Sequence, residues 1–498
     1  MYYIGYDIGS SSIKIALLNA KKNKEVAVIN EPKGEMKIEA IRTNWAEQSP
    51  DLWWEYLCSG TKRILFENKI NSSQILGVGI SYQMHGLVLL DKNKKVLRNA
   101  IIWCDSRAVE IGNKAAEEIG KKKYGQYLLN SPGNFTASKL KWVKENEPKI
   151  YDQVAFFMLP GDFIAFKLTG EILTTINGLS EGILWDYKKR EIANWLLDHY
   201  HIETDLTPPI VENFQNQGNI TSAASKATGL PERIPVNYRA GDQPNNALSL
   251  NVLRPGEIAA TGGTSGVLFA VKDQARTKEF TKVNHFAHVN YTKENPSVGT
   301  LLCINGVGIL YNWLKKMTGN KDYNTMNLYA SEVNIGSENL VVLPFGNGSE
   351  RMLNNINLGA HFCNLNLNVH SQKHLYRAAL EGIAFSFVYG AEIMKQDGIK
   401  TKVIRAGNDN LFQSKIFAET ISNLLEQPIE IYSTTGAIGA ARAASINNGI
   451  NSIESLINNL NRVEYVEPKT NNDAYNAAYQ NWKKTLINKL NNNDTYRR

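Results

Sequence analysis

Cysteine is scarce in this chain. Its 498 residues hold four, Cys58, Cys104, Cys303 and Cys363, all far apart. That excludes a disulfide framework, and no pair has zinc-ligand or dithiol spacing. Buried free thiols in a reducing compartment are expected. Long apolar runs are also missing, since none reaches the roughly 20 residues that span a bilayer. No basic segment followed by an apolar core opens the sequence, so no signal peptide is expected and a cytoplasmic location is. Charge of one sign is not concentrated either. Lys and Arg number 55 against 48 Asp and Glu, a formal net charge of +7. The excess is scattered in short runs such as Lys121 to Lys123, and no basic stripe carries interleaved aromatics. Neither nucleic acid nor a membrane is therefore expected as a partner. The remainder is ordinary for a globular protein, 43% hydrophobic and 21% charged. The length allows roughly two to four domains with full cores.

What is present is organised around two short stretches. Residues 2–18, YYIGYDIGSSSIKIALL, place two apolar, β-rich runs around the polar turn Asp7-Ile8-Gly9-Ser10-Ser11-Ser12. This predicts a hairpin. Gly9 lets a ligand approach the backbone, and successive N–H groups in such a turn can cradle an anion. Asp7, at the strand end, can hold Mg²⁺ beside phosphate oxygens. Residues 258–270, IAATGGTSGVLFA, repeat the pattern half a chain later. Gly263, Thr264 and Ser265 align with Gly9, Ser10 and Ser11, while Thr261 stands where Asp7 does. Two such hairpins predict two related halves facing one nucleotide, one binding metal and one binding phosphate. The turn Val252 to Gly256 marks the crossover. The halves are expected as residues 1–252 and 253–498, with a polar tail after about residue 468.

Other motifs fall between these anchors. Ser49-Pro50-Asp51 predicts a helix start, with Trp54, Leu57, Thr61 and Ile64 on one face. A strand over 75–80 leads into Gln83-Met84-His85-Gly86, and a second strand resumes at Leu87. Such a break can offer Gln83 and His85 to a hydroxylated ligand, although a lone histidine is more often simply satisfied inside a fold. Asp105 and Arg107 read as a structural pair. Arg239-Ala240-Gly241-Asp242-Gln243-Pro244 follows a short strand, and Asp242 would open a helix, where capping and catalysis are compatible roles. In the second half, Asn305-Gly306-Val307-Gly308 leads into a helix bearing Asn312. Leu343 to Gly346 and the pair Glu350-Arg351 are expected in a turn-rich loop. An apolar stripe predicts a helix over 375–394. The small-residue loop Ala406 to Asn410 can admit a flat ring or a phosphate. Thr435 to Ala444, TGAIGAARAA, predicts a helix suited to tight packing.

Together these motifs resemble the FGGY carbohydrate kinases over roughly residues 2 to 450. The resemblance rests on the Asp-x-Gly hairpin, Gln83-Met84-His85-Gly86, Trp103-x-Asp105-x-Arg107, Phe135-Thr136-Ala137, Gly241-Asp242, Gly263-Thr264-Ser265-Gly266 and Glu381-Gly382, in the family's order. Met84-His85 in the sugar loop points to the xylulose-phosphorylating members rather than to glycerol or gluconate kinases. The resemblance implies an α/β fold of two ribonuclease-H-like domains, of the actin, hexokinase and Hsp70 type, with a nucleotide- and sugar-binding cleft between them. It implies ATP and Mg²⁺ as cofactors and D-xylulose as the partner, phosphorylated to D-xylulose 5-phosphate. A homodimer is compatible with it. Asp242 matches the general base. Gln83, Met84, His85, Asp242 and Gln243 match sugar-binding positions, and Asp7 matches the Mg²⁺-associated carboxylate. Gly9, Ser10, Ser11, Gly263, Thr264, Ser265, Gly308, Asn312, Gly407, Asn408 and Asn410 match nucleotide-binding positions.

Two departures stand out. The family's adenine loop usually runs Gly-Gly-Gly-Ala-Lys/Arg-Ser, whereas here it is Arg405-Ala406-Gly407-Asn408-Asp409-Asn410. Thr175 replaces the Asp of a usual Thr-Asp pair. Neither removes a group needed for phosphoryl transfer. Two other readings stay open at this level. One is a kinase for another ketose or polyol, such as ribulose, glycerol or gluconate. The other is a non-catalytic, nucleotide-gated sugar-binding protein, against which Asp7 and Asp242 argue.

Overall fold

The computed structural model describes residues 1–320, 322–446 and 460–495. The first half begins with β1 (Tyr2–Ile8) and β2 (Ile13–Asn19), paired antiparallel as the expected hairpin, and β3 (Lys24–Glu31) follows antiparallel to β2. β1 is buried nearly throughout, as its continuous apolar run requires of a strand covered on both faces. One cover is α1 (Pro50–Glu67), with Pro50 in its first turn. Its inward face is Trp53, Leu57, Thr61 and Ile64. Trp53 therefore takes the place expected for Trp54, because only Trp53 continues the i, i+4, i+8 row. Its indole N–H donates to Gln48 Oε1 at 3.1 Å. β4 (Ile75–Tyr82) runs parallel to β1, and β5 (Val236–Gly241) parallel to β4. The sheet order is β5-β4-β1-β2-β3. α2 (Asp242–Ser249) leaves directly from the end of β5.

The second half repeats this plan. It contains β6 (Glu257–Gly262), β7 (Gly266–Lys272), β8 (Asn284–Ala287), β9 (Val298–Ile304), β10 (Val403–Gly407), β11 (Ile429–Tyr432) and β12 (Arg462–Val466), in the order β8-β9-β7-β6-β10-β11-β12. The run β11-β10-β6-β7-β9 reproduces the first sheet strand for strand. β6 and β7 pair antiparallel, while β10 lies parallel to β6 and β11 parallel to β10. The two halves suggested by the paired hairpins are thus two ribonuclease-H-like sheets. α3 (Gln372–Gln396) extends the expected 375–394 helix at both ends and is buried along most of its length.

The halves meet through α2 and α4 (Gly436–Ile446), with Asn245 Nδ2 of α2 donating to the Gly436 carbonyl of α4 at 2.8 Å. α4 lies flat on the first sheet, although it comes from the second half. A Cβ on Gly5 would stand 1.9 Å from the Ala437 carbonyl oxygen, and one on Gly79 would stand 2.0 Å from that of Ala440. Only glycine permits that approach, and the alanine row of α4 is its complement.

Three expectations need correction. The stretch after residue 468 is not a polar tail. It forms α5 (Asp473–Thr495), whose Tyr475, Tyr479, Trp482 and Leu486 are buried, with Trp482 Nε1 donating to the Val342 carbonyl at 2.9 Å. That stripe is helical in spacing but diluted by Asn and Lys. Leu343, Pro344 and Phe345 are not in a loop but in a strand, Val341–Phe345, paired with Gly359–Cys363. The four cysteines are free but not buried, for Cys104 is exposed and the others are half-buried. Among the described residues, no helix is long and apolar enough to cross a membrane.

Candidate active site

β1 and β5 flank β4 in parallel, with Asp7 opposite Ser81 and Gly241 opposite Tyr82. Their C-terminal ends therefore deliver Asp7 and Asp242 to one edge of the sheet, where ligands bind in such folds. Asp7 Oδ1 accepts from Ser81 Oγ at 2.8 Å. Gly241 is the N-cap of α2, so Asp242 stands one residue inside the helix rather than capping it. Burial pushes the Asp242 carboxyl up to about 7, and the negative Asp7 adds to the rise. Gln243 and Lys14 oppose it. The chain thus brings Asp7, Asp242 and Gln243 together.

The sugar loop lies at the end of the neighbouring strand. The Gln83 N–H donates to the Ile8 carbonyl at 2.8 Å, which ties the loop to the first hairpin. Gln83 is buried, and its Oε1 has no hydrogen-bond partner among the described residues. His85 adopts a left-handed backbone, φ 62°, which is unusual for a bulky residue. Two contacts hold it there. Lys139 Nζ donates to the carbonyls of His85 and Ile102, each at 2.9 Å. The Nδ1 of His85 lies 2.8 Å from the Glu181 carbonyl. A carbonyl only accepts, so Nδ1 carries the hydrogen and Nε2 keeps a lone pair. Burial drives the imidazole pKa down to about 3, so His85 is a neutral acceptor. Its ring packs edge-on against Phe135 at 4.8 Å and tilted against Phe286 at 5.2 Å.

Glu181 ends the short helix Ile176–Glu181 and is 1% exposed. Its Oε1 has no hydrogen-bond partner among the described residues. Burial raises its carboxyl well above the usual carboxylate range. Met84 and Glu181 close around Gly241. A Cβ on Gly241 would meet Glu181 Oε2 at 2.3 Å and Met84 Cγ at 2.6 Å. Gly241→Ala is therefore expected to cost about 1–3 kcal/mol by overpacking and to displace Met84. The check is a urea melt paired with a sugar titration. Unchanged stability and sugar affinity would show that the site has room to spare.

Asp105 and Arg107 form the expected structural pair, 2.7 Å apart and buried, with Arg107 also 2.8 Å from Glu47. Trp103 of the same motif is 48% exposed, and its indole N–H donates to Ser10 Oγ at 3.3 Å. It stands beside the first hairpin and was not among the expected site residues. Gln48 Nε2 donates to the Ser10 carbonyl at 2.7 Å. Gly9, Ser10 and Ser11 form the turn between β1 and β2, closed by the Gly9 N–H to the Ser12 carbonyl at 3.1 Å.

In the second half a cavity of about 460 Å³ opens beside the second hairpin. Gly263, Thr264, Gly308, Asn312 and Asn410 line it. The Gly308 N–H donates to the Gly263 carbonyl at 3.0 Å, joining the helix Val307–Met317 to the hairpin. Ser265 does not line it, and its hydroxyl donates to Asn305 Oδ1 at 3.4 Å. Gly407 and Asn408 do not line the cavity. They stand at the end of β10, where the Asn408 N–H donates to the Tyr432 carbonyl at 2.8 Å. The far wall is Tyr323, Asn324, Asn327 and Gln413, which sequence reading missed. Tyr323 stacks on Tyr311, and its hydroxyl donates to Asn312 Oδ1 at 3.1 Å. The i, i+1, i+4 spacing of Tyr323, Asn324 and Asn327 on one helix face was the available signal.

Among the described residues, no three His, Cys, Asp or Glu side chains gather as a metal site. Mg²⁺ needs only one or two carboxylates beside phosphate oxygens and water, a need that Asp7 at the end of β1 can meet.

The comparisons with known proteins bear on the family and the fold. The model of the FGGY family of carbohydrate kinases, N-terminal domain, matches residues 2–249, and that of the C-terminal domain matches residues 258–447. The chain is 28% identical to the xylulose kinase of Bacillus subtilis (strain 168), over 90% of this chain and 88% of that relative. The crystal structure of xylulose kinase from Rhodospirillum rubrum superposes with a TM-score of 0.87 at 23% identity, covering 98% of this chain and 99% of that one. Gluconate kinase from Lactobacillus acidophilus superposes with a TM-score of 0.88 at 20% identity, covering 99% of each.

Proposed function

The chain belongs to the FGGY family of carbohydrate kinases, and from that premise we propose that its acceptor is D-xylulose, phosphorylated at the 5-hydroxyl. The enzyme is an ATP-dependent sugar kinase. The observation that carries the finer reading is the meeting of Asp242 with the Met84-His85 loop at one sheet edge. The name shared by its relatives supports the choice of sugar.

Phosphoryl transfer needs positioning and charge stabilisation more than covalent help. The sugar hydroxyl oxygen bonds to the γ-phosphorus, the bond to the ADP oxygen breaks, and the hydroxyl proton passes to Asp242. A carboxyl with a pKa of about 7 suits this task, because a base works best when its pKa lies near the working pH. His85 Nε2 accepts a hydrogen bond from a sugar hydroxyl and so orients the chain of the ketose. The turns at Gly9 to Ser11 and Gly263 to Ser265 hold the phosphates, and the cavity beside Tyr323 takes the base. Mg²⁺, held by Asp7, would offset charge on the phosphate oxygens. Residues 1–252 and 253–498 act as two lobes whose closure excludes water.

The test is a panel of ketoses and polyols with ATP, read as sugar-dependent ADP release. D-xylulose is expected to turn over fastest. Faster turnover of ribulose, glycerol or gluconate would replace the sugar assignment.

A further inference from the structure

Sequence reading leaves Glu350-Arg351 without a role. The structure puts the pair in a single turn, Glu350–Leu353, and gives Glu350 a φ of 47°. A non-glycine residue in that region signals a conformation imposed by its surroundings. The turn sends Arg351 from the second half across the cleft to the first. Its guanidinium lies 5.6 Å from the centre of the Phe135 ring. Phe135 is the ring that packs edge-on against His85. One guanidinium nitrogen comes so close to Gly133 that a Cβ there would sit 3.0 Å from it.

Among the described residues, the Arg351 guanidinium has no hydrogen-bond or ion-pair partner. Burial lowers its pKa, and Glu350 opposes the fall. Arg351 is half-buried, so the five donors of its guanidinium stay open to a ligand or to water. Behind it, the Asn305 side chain faces the Glu350 carboxyl and opposes the rise in its pKa that burial causes. Ser265 of the second hairpin donates to Asn305 Oδ1. The pair therefore sits between the phosphate turn of one half and the sugar loop of the other.

We propose that Arg351 is a substrate-contacting residue supplied by the second half, donating hydrogen bonds to the sugar's hydroxyls opposite His85. The two side chains are complementary. His85 Nε2 can only accept, whereas Arg351 can only donate, and a hydroxyl does both. A bound sugar then bridges the halves, which makes closure depend on it. This inference rests on the sugar-kinase reading above.

The experiment measures sugar affinity in Arg351→Met and Arg351→Lys. Wild-type ADP release across the sugar panel first identifies the working sugar, expected to be D-xylulose. A wrong sugar assignment appears there, in the wild type, whereas a wrong role for Arg351 appears only in the variants. Arg351→Met is expected to weaken binding of that sugar by roughly tenfold or more and to leave ADP affinity unchanged. Arg351→Lys is expected to recover part of the loss, since an ammonium lacks the fork. Sugar affinity within about twofold of wild type in Arg351→Met would overturn the proposal. So would a defect confined to kcat with sugar affinity intact, which would assign the guanidinium to the phosphoryl group instead. Should Arg351→Met fail to fold, Arg351→Lys decides alone, and unchanged sugar affinity in it overturns the proposal.

Discussion

Asp242→Asn is expected to lower single-turnover phosphorylation of the sugar by about 10²-fold or more, with sugar binding little changed. Asn keeps the size of the side chain and an acceptor oxygen, but it cannot take the hydroxyl proton. The pH dependence follows from the same group. The folded carboxyl titrates near 7 against an ordinary value of 3.8. The base must be ionised, so wild-type kcat/KM should rise with pH up to about 7 and level off above it. Stability runs the other way. Between the two values the folded chain holds a proton that the unfolded chain has lost, so this group's contribution falls as pH rises through about 7. Asn carries no such penalty. The variant should therefore melt at or above the wild-type temperature, and its advantage should be larger at pH 8 than at pH 5. Near-wild-type chemistry in a well-folded Asp242→Asn protein would remove this residue from the mechanism. A lower melting temperature at pH 8 would remove the strained carboxyl instead.

What the sequence made legible is what local spacing encodes. The two hairpins could be read because apolar strand runs flank Gly and Ser turns, and the repeat at half the chain length predicted the matched sheets. Asp7, Asp242 and the Gln83-Met84-His85 loop could be read because each stands at a strand end beside a turn. The small-residue helix at Thr435 was legible as a tight packer, but its partner was not. Gly5 and Gly79 receive it from the other half of the chain, and nothing local at either end names the other. α5 was missed because its four buried residues are spread through Asn and Lys. Lys139, Glu181 and Arg351 share a different cause. Each acts at a place distant in sequence, through a contact that only the assembled fold creates. Residue type alone would put all three at the surface. The altered adenine loop drew attention to Asn408, yet the cavity wall is formed instead by Tyr323 and Asn327, whose spacing on one helix face was the only local signal.

Lys139 carries the second large effect. It is fully buried, and its ammonium nitrogen spans the carbonyls of His85 and Ile102. Burial lowers its pKa to about 7, and Asp105 limits the fall. Lys139→Met keeps the apolar stem and removes the donors. The His85 carbonyl then loses its partner, at about 1–3 kcal/mol, whereas the Ile102 carbonyl still accepts from the Asp105 N–H at 3.2 Å. That is a large share of the stability of an ordinary domain, and a urea midpoint will register it. The consequence for function is separate. The left-handed backbone at His85 is held by this donor and by the Nδ1 contact to Glu181. With one tether gone, φ can relax towards the common region and Nε2 no longer points where a sugar hydroxyl would sit. Sugar KM should therefore rise by roughly tenfold, as expected for one lost hydrogen bond to a polar ligand. Nucleotide affinity should hold, because the cavity beside Tyr323 lies in the other half. Lys139→Arg is the companion variant. It restores donors but must fit a larger head into a filled site, so it should recover less than full stability. A destabilised Lys139→Met enzyme whose sugar KM equals that of the wild type would show that Lys139 supports the core and does not aim His85.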